Sequence, residues 1–444
     1  MNHFIQTIKN IWRIEDLRFR ILMTLGLVAI YRIGSYIVLP GIDGAQLQQL
    51  EDEGGKGIFG LVNIFAGGAF TRASIFALGI MPYISASIVM QLLGMAVPAV
   101  QKLQKDESGR RTVNQYTRIL TVVVTALQAS AYVVYIKSLG AQILISPGLF
   151  WFSTLVVLTA GTVFVMWLGE KITDKGIGNG ISLLIMVGII ARLPFALAAE
   201  FTSRMSAGGN GGLVAFIGEI AALIAVIMLV ILLVQGTRKI PVQYAKRIVG
   251  NKQYGGVRQY IPLKVNAAGV MPIIFAQALM FIPATISQFF PDSAASQGAG
   301  VFTDHTSFWY NIIFSVLIIV FTYFYTALIV NPVQMADDMK RNGGFVPGIK
   351  PGKKTADFID GIMSRITLPG SFFLALVAIL PAFAAMFGMI SDFGNFFGGT
   401  SLLIMVGVVL DTLQQIESHL LMRHYDGLMK SGRIKGRTSA ASAY

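Results

Sequence analysis

Three stretches of this chain, Gly79 to Val97, Leu149 to Leu168 and Phe308 to Val330, run without a single charged side chain. Each reaches the roughly 20 apolar residues that a helix needs to cross the hydrocarbon core of a bilayer. No water meets the backbone at that depth, so such runs have to become helices that satisfy their own hydrogen bonds. The same ruler predicts ten spans, near residues 21–39, 74–97, 116–136, 150–169, 180–199, 213–235, 266–290, 308–330, 367–388 and 399–420. The fifth is interrupted by Arg192 and Pro194, and the tenth carries Asp411. Composition agrees: 54% of the 444 residues are hydrophobic and 13% are charged, against about 25% charged in soluble chains. The mean hydropathy is +0.67. The 47 glycines and 19 methionines suit helices that pack closely in lipid.

Charge placement tests the span map independently. The net charge of +13 would suit nucleic acid, but in a membrane chain the side on which lysine and arginine lie matters first. With the N-terminus taken as cytoplasmic, only Lys56, Arg72, Lys137, Arg192 and Arg204 of the 35 basic residues fall on the opposite side, and Arg32 lies within the first span. All the others are cytoplasmic. An odd number of spans would scramble this asymmetry, so both ends are expected in the cytoplasm. The first twenty residues mix Glu15 and Asp16 with Arg13, Arg18 and Arg20 and show no small-residue cleavage motif, which argues against a cleavable signal peptide. The absence of cysteine excludes disulfides, thiolate metal sites and a cysteine nucleophile.

The expected architecture is an all-α polytopic membrane protein. A cytoplasmic segment, 1–20, leads into an N-terminal half, 21–200, with spans one to five. A C-terminal half, 201–420, holds spans six to ten, and a basic tail, 421–444, ends the chain. Five spans per half make the second half enter from the opposite side, the arrangement of an inverted repeat. Two cytoplasmic loops, 236–265 and 331–366, are longer than a connection requires. The first interleaves Arg238, Lys239, Lys246, Arg247, Lys252, Arg258 and Lys264 with Tyr244, Tyr254 and Tyr260. The second carries Lys340, Arg341, Lys350, Lys353, Lys354 and Arg365 around the turn Phe345-Val346-Pro347-Gly348. Topology signalling accounts for their charge; length and aromatic residues favour a docking surface.

An enzyme site is not evident. His3, His305, His419 and His424 show no metal-ligand spacing, and no carboxylate pair sits at mid-membrane, where ion coupling would place one. Arg32, Glu219 and Asp411 read as interhelical polar contacts or snorkelling side chains. Lys175-Gly176-Ile177-Gly178-Asn179-Gly180 is superficially like a phosphate loop, but it lacks a preceding strand and the Lys-Ser/Thr ending. The segment Ile58 to Phe65 is apolar yet far too short to cross, and Ala66-Gly67-Gly68-Ala69 breaks it. It is either interfacial or re-entrant, and a re-entrant segment implies a cavity.

Several stretches resemble the SecY family, the channel subunits of the bacterial general secretion translocase, related to the α-subunits of eukaryotic and archaeal translocons. They are YRIGSYIVLPGID from Tyr31, NIFAGGAFTRASIFALGIMPYISASI from Asn63, ESGRR from Glu107, QYTR from Gln115 and MWLGEKITDKGIGNGIS from Met166. YAKR from Tyr244, PLKVNAAGVMP from Pro262, FYTALIVNP from Phe324, FVPGIKPG from Phe345 and GGTSLLI from Gly398 complete the set. Their order spans the chain.

The resemblance implies an hourglass pore closed by an aliphatic ring and a short plug helix. The plug maps onto Ile58 to Ala73, with Asn63, Phe65, Gly67, Gly68 and Arg72, and this decides for a re-entrant segment. The ring maps onto Ile80, Ile84, Ile181, Ile185, Ile274 and Ile404, and a polar lateral gate onto Ser85, Gln128 and Asn266. Docking for the SecA motor ATPase and the ribosome maps onto Arg258, Lys350 and Arg365. Lys350 stands where the family usually has arginine; it keeps the charge and loses the planar fork.

In function, the resemblance implies a channel of the bacterial plasma membrane that passes unfolded preproteins outward and releases transmembrane segments laterally into lipid. It would hydrolyse nothing and hold no metal or other cofactor. Its partners would be the small subunits SecE and SecG, SecA, the ribosome, secretory preproteins, nascent membrane proteins and membrane lipid. A secondary transporter of a small solute also fits ten spans, but it would want ionisable groups at mid-membrane where this chain supplies aliphatic ones.

Overall fold

The computed structural model describes residues 12, 14–42, 63–138, 143–206, 212–244, 247–249, 252–254, 258–289 and 307–430. The first part of the expected plug, 58–62, the stretch 290–306 and the tail beyond 430 lie outside the described residues.

A helix forms at each of the ten apolar blocks. In chain order the elements are α1 (Glu15–Gly34), α2 (Met81–Ala96), a short α3 (Pro98–Lys105), α4 (Glu107–Ser138), α5 (Pro147–Lys175), α6 (Gly180–Met205) and α7 (Gly212–Gln235). Strands β1 (Thr237–Tyr244), β2 (Arg247–Val249), β3 (Lys252–Tyr254) and β4 (Arg258–Lys264) come next. After them are α8 (Met271–Phe289), α9 (Phe308–Ile329), α10 (Pro332–Arg341), β5 (Gly344–Phe345), α11 (Lys353–Met386), α12 (Ser391–Gly394) and α13 (Gly399–Lys430). Among the described residues, seven helices are long and apolar enough to cross a membrane. The remaining blocks fall short for separate reasons. α1 carries Glu15, Asp16, Arg18, Arg20 and Arg32, whereas α2, at 16 residues, is about 24 Å long. In α8 the apolar stretch among the described residues, Met271–Met280, is shorter than a span.

Helix ends differ from the expected spans where backbone chemistry intervenes. α1 stops at Gly34 because the next residues leave the helix to pair: Val38 bridges Ser74. The second block becomes helical only at Met81, with proline in its first turn, where the missing N–H costs nothing. Residue Pro194 sits inside α6, and Pro369 and Pro381 inside α11, without ending either helix. The segment 331–366, expected as a loop, is largely α10 and the start of α11.

The chain divides into two compact units. The first comprises Met1–Asp52, Phe65–Ala191 and Val408–Tyr444, the second Glu53–Ile64 and Arg192–Gly407. In the first, α4 packs against α2 and α5, and α5 packs on α1. Arg118 of α4 forks onto Glu170 of α5 at 3.0 and 2.8 Å. In the second, α9 packs against α8 and α11, and α10 also lies on α11. A β4-β1-β5 sheet covers this end of α11. The alternation that places Ile240 and Val242 inward and Lys239 and Pro241 outward is the period of two expected of a half-buried strand.

Candidate functional site

Among the described residues the expected plug begins with a helical turn at 63–65 and continues as turns through Ile80. Gly67 and Gly68 have φ of +65° and +87°, a region open to glycine without a Cβ clash. Phe65, Ala69, Phe70 and Ala73 are all buried, so the polar backbone here has to find partners within the protein. It does so against the chain just beyond α1. The amide of Leu39 donates to Ala73 O at 2.8 Å, and that of Ile75 donates to Ile37 O at 2.9 Å. From α4, the Tyr132 hydroxyl donates to Phe70 O at 2.6 Å, and its ring meets Phe70 edge-on at 4.8 Å. Arg72 lies 4.6 Å over the Tyr36 ring. Buried Asn63 opens the segment.

The isoleucines expected to form the ring fall into both units. In the first, Ile80 is buried immediately before α2, and Ile84, one turn on, is partly buried. Ile181 starts α6, where Asn179 Oδ1 accepts from its amide at 3.1 Å; Ile185 is buried one turn later. In the second, Ile274 is partly buried early in α8 and Ile404 is buried in α13. Of the expected gate residues, Ser85 Oγ donates to Met81 O at 3.1 Å within α2, and Gln128 is partly buried on α4. Asn266 is buried before α8; its Nδ2 donates to Gly269 O at 3.0 Å, while its Oδ1 has no hydrogen-bond partner among the described residues.

The expected docking residues Arg258, Lys350 and Arg365 are all exposed. They sit on a surface that sequence reasoning expected as loop and that is instead built on a core. Ile240, Val242 and Leu263 of the hairpin pack with Met339 of α10, Val346, and Ile359 and Met363 of α11. Val265 donates to Gly236 O at 2.9 Å. Alternation along an antiparallel ladder then turns Tyr260, Pro262 and Lys264 away from β1. Among the described residues β4 is an edge strand, and Pro262 removes a donor from its free side, a device that discourages strand addition.

The glycine-rich turn after α5 does not cradle an anion. The amide of Ile177 donates to Thr24 Oγ1 at 3.1 Å, that of Gly178 to Gln415 Oε1 at 2.9 Å, and that of Gly180 to Thr173 Oγ1 at 2.9 Å. The donors a phosphate would need are already taken. Among the described residues no group of three or more histidine and acidic side chains is placed to hold a metal.

One cluster went unrecognised in the sequence. Arg204 of α6 donates to Glu200 Oε1 at 2.9 Å, to Glu219 Oε1 of α7 at 2.6 Å and to Gly388 O at 3.2 Å. Glu200 Oε2 accepts from the Ile390 amide at 2.8 Å, and Arg192 meets Asp392 at 3.6 Å. Glu200, Arg204 and Glu219 are buried, and together they tie the turn after α11 to α6 and α7. The i, i+4 spacing of Glu200 and Arg204 was the available signal.

Comparison with known proteins shows the family and the fold. Residues 74–413 match the SecY family. The chain is 44% identical over 441 residues to the protein translocase subunit SecY of Streptomyces galbus, covering 94% of this chain and 98% of that one. It is 43% identical over 439 residues to the protein of the same name from Mycobacterium tuberculosis, with the same coverage. A solved structure described as a protein-conducting channel shares the fold at a TM-score of 0.65 and 19% identity, over 90% of this chain and 92% of that one. A second, described by the SecY plug domain that stabilises the closed channel, shares it at 0.62, again with 19% identity and the same coverage. On a family match of this extent and relatives this similar along nearly their whole length, the chain, a multi-pass membrane protein, belongs to the SecY family, the channel subunits of Sec protein translocases.

Proposed function

We propose that this channel subunit passes unfolded preproteins across the bacterial plasma membrane and releases transmembrane segments sideways into the bilayer. The observation that carries the reading is the plug segment. A buried, mostly non-helical backbone ahead of α2, which accepts hydrogen bonds from Leu39 and Tyr132 and donates one to Ile37 O, is a costly feature that a simple bundle of spans does not need. The two inverted halves, 21–200 and 201–420, would enclose an hourglass pore with the isoleucine ring at its waist. An aliphatic constriction excludes water and ions by dewetting and demands no hydrogen-bond pattern of a passing chain. Lateral release would pass Ser85, Gln128 and Asn266; interhelical polar contacts in lipid are worth about 0.6 kcal/mol each, enough to close a seam and weak enough to yield to an apolar helix.

With both termini cytoplasmic, the exposed cations of the hairpin and of α11 face the cytoplasm, where SecA or a ribosome would dock. SecE and SecG would complete the membrane complex, and SecA would supply the energy of transport. The test is reconstitution. Purified with SecE and SecG into vesicles, the chain should carry a preprotein to a protease-protected space only when SecA and ATP are present. Vesicles that protect no preprotein under those conditions would overturn the proposal.

A further inference from the structure

We infer that Arg32 is the latch of the plug, a role that rests on reading residues 63–73 as that plug. Arg32 lies near the end of α1, and its guanidinium forks between two acceptors. Nη1 donates to Gly67 O at 3.2 Å, and Nη2 donates to the Tyr36 hydroxyl at 3.2 Å. The Tyr36 ring orients this fork from 5.4 Å and carries Arg72, itself part of the plug segment, 4.6 Å from its centre. Arg32 therefore grips the plug directly through a backbone carbonyl and indirectly through a tyrosine that both arginines share.

The same turn also rests on bare backbone. A Cβ added at Gly67 would lie 2.7 Å from Arg32 Nη1 and 2.9 Å from Gly188 Cα, and one added at Gly188 would lie 2.5 Å from Phe65 O. The plug turn is thus held at Gly67 by α6, where only glycine allows the approach, and by the arginine of α1. One hold is shape and the other a charged donor. Shape has no release. The charged donor does, because an unfolded chain entering the pore brings carbonyl oxygens that compete for the same guanidinium. The seated state is then stable at rest and yields to substrate.

The experiment measures ion conductance of the channel, assembled with its small subunits in planar bilayers, without motor or substrate. Arg32→Met should raise resting conductance about tenfold, as expected for loss of a charge-assisted hydrogen bond, and Arg32→Lys, which keeps one charged donor, should restore much of the seal. Gly188→Ala, which disturbs the same turn from α6, should leak as well, and Arg32→Gln covers the case in which Arg32→Met does not accumulate. A deletion of residues 58–70 is run alongside. If the deletion leaks while Arg32→Met, or Arg32→Gln where Arg32→Met does not accumulate, keeps the parental conductance, the latch is wrong and the plug stands, whatever Gly188→Ala does. If the deletion itself does not leak, the plug assignment beneath it fails.

Discussion

The side-chain oxygen of Gln415 on α13 accepts a hydrogen bond from the amide of Gly178, 2.9 Å away in the turn between α5 and α6. Gly178 is buried and has a φ of +82°, so its N–H has no regular secondary structure to donate to. Replacing Gln415 with methionine strands that donor, at a cost of about 1 kcal/mol. Gln415→Met should lower the thermal unfolding midpoint of the purified complex, and Gln415→Glu, which keeps an acceptor, should not. Equal midpoints for both variants would deny the bond any weight.

A larger loss is expected at the buried arginine of α6. Arg204 is shared by Glu200 and Glu219, and removing it leaves two carboxylates without a counter-charge in a site closed to water. Breaking a buried pair in this way costs about 3–5 kcal/mol. Arg204→Met should therefore destabilise the protein far more than Glu219→Gln, whose amide oxygen still accepts from the guanidinium. Thermal unfolding of the two variants in detergent checks the order, and a Glu219→Gln protein as unstable as Arg204→Met would contradict it.

The proposed docking surface separates charge from scaffold. Arg258, Lys350 and Arg365 are exposed, while Val242 and Ile359 beneath them are fully buried. Changing the three cations to alanine should weaken binding of SecA or of ribosomes, most visibly at low salt, and leave the stability within about 0.5 kcal/mol of the parent. Lys350→Arg should tighten binding, because the planar fork returns. Binding that is indifferent to all three charges would place the partner elsewhere. Val242→Asp should abolish binding by a different route, since an unpaired charge cannot be accommodated in the core under the hairpin.

How much of this was legible in the sequence depended on the range of the interaction involved. Hydropathy located a helix at each of ten blocks because crossing a bilayer is a local demand on about twenty consecutive residues. The hairpin was harder. Its inward residues Ile240, Val242 and Leu263 do alternate, but Pro241 and Pro262 interrupt both strands and read as turn signals. Only pairing across the hairpin shows that each proline stands where no ladder donor is required. Arg32 was noticed as a charge inside a span, yet its acceptor is the carbonyl of Gly67, and no side-chain pattern marks a carbonyl. The contact of the Gly67 turn with Gly188 is likewise one between two backbones far apart in sequence, visible only once α6 and the turn are folded together.

The proposed aliphatic ring offers the sharpest test of the path, because the chain contains no cysteine and a single engineered thiol has no competitor. Cysteines placed at Ile84, Ile185, Ile274 and Ile404 should each form a disulfide with a cysteine in a preprotein stalled midway by a folded domain at its end. Each of these residues presents only hydrocarbon, so cysteine, a small and weakly polar replacement, should leave transport intact. The control is Leu232 on α7, which is 71% exposed, belongs to the most apolar of the seven long helices and lies outside the proposed ring. Crosslinks at the four isoleucine positions and none at Leu232 would place the preprotein at the ring. Crosslinking that is as strong at Leu232, or absent from Ile84 and Ile274 alike, would show that the chain travels by another route and that these isoleucines serve packing alone.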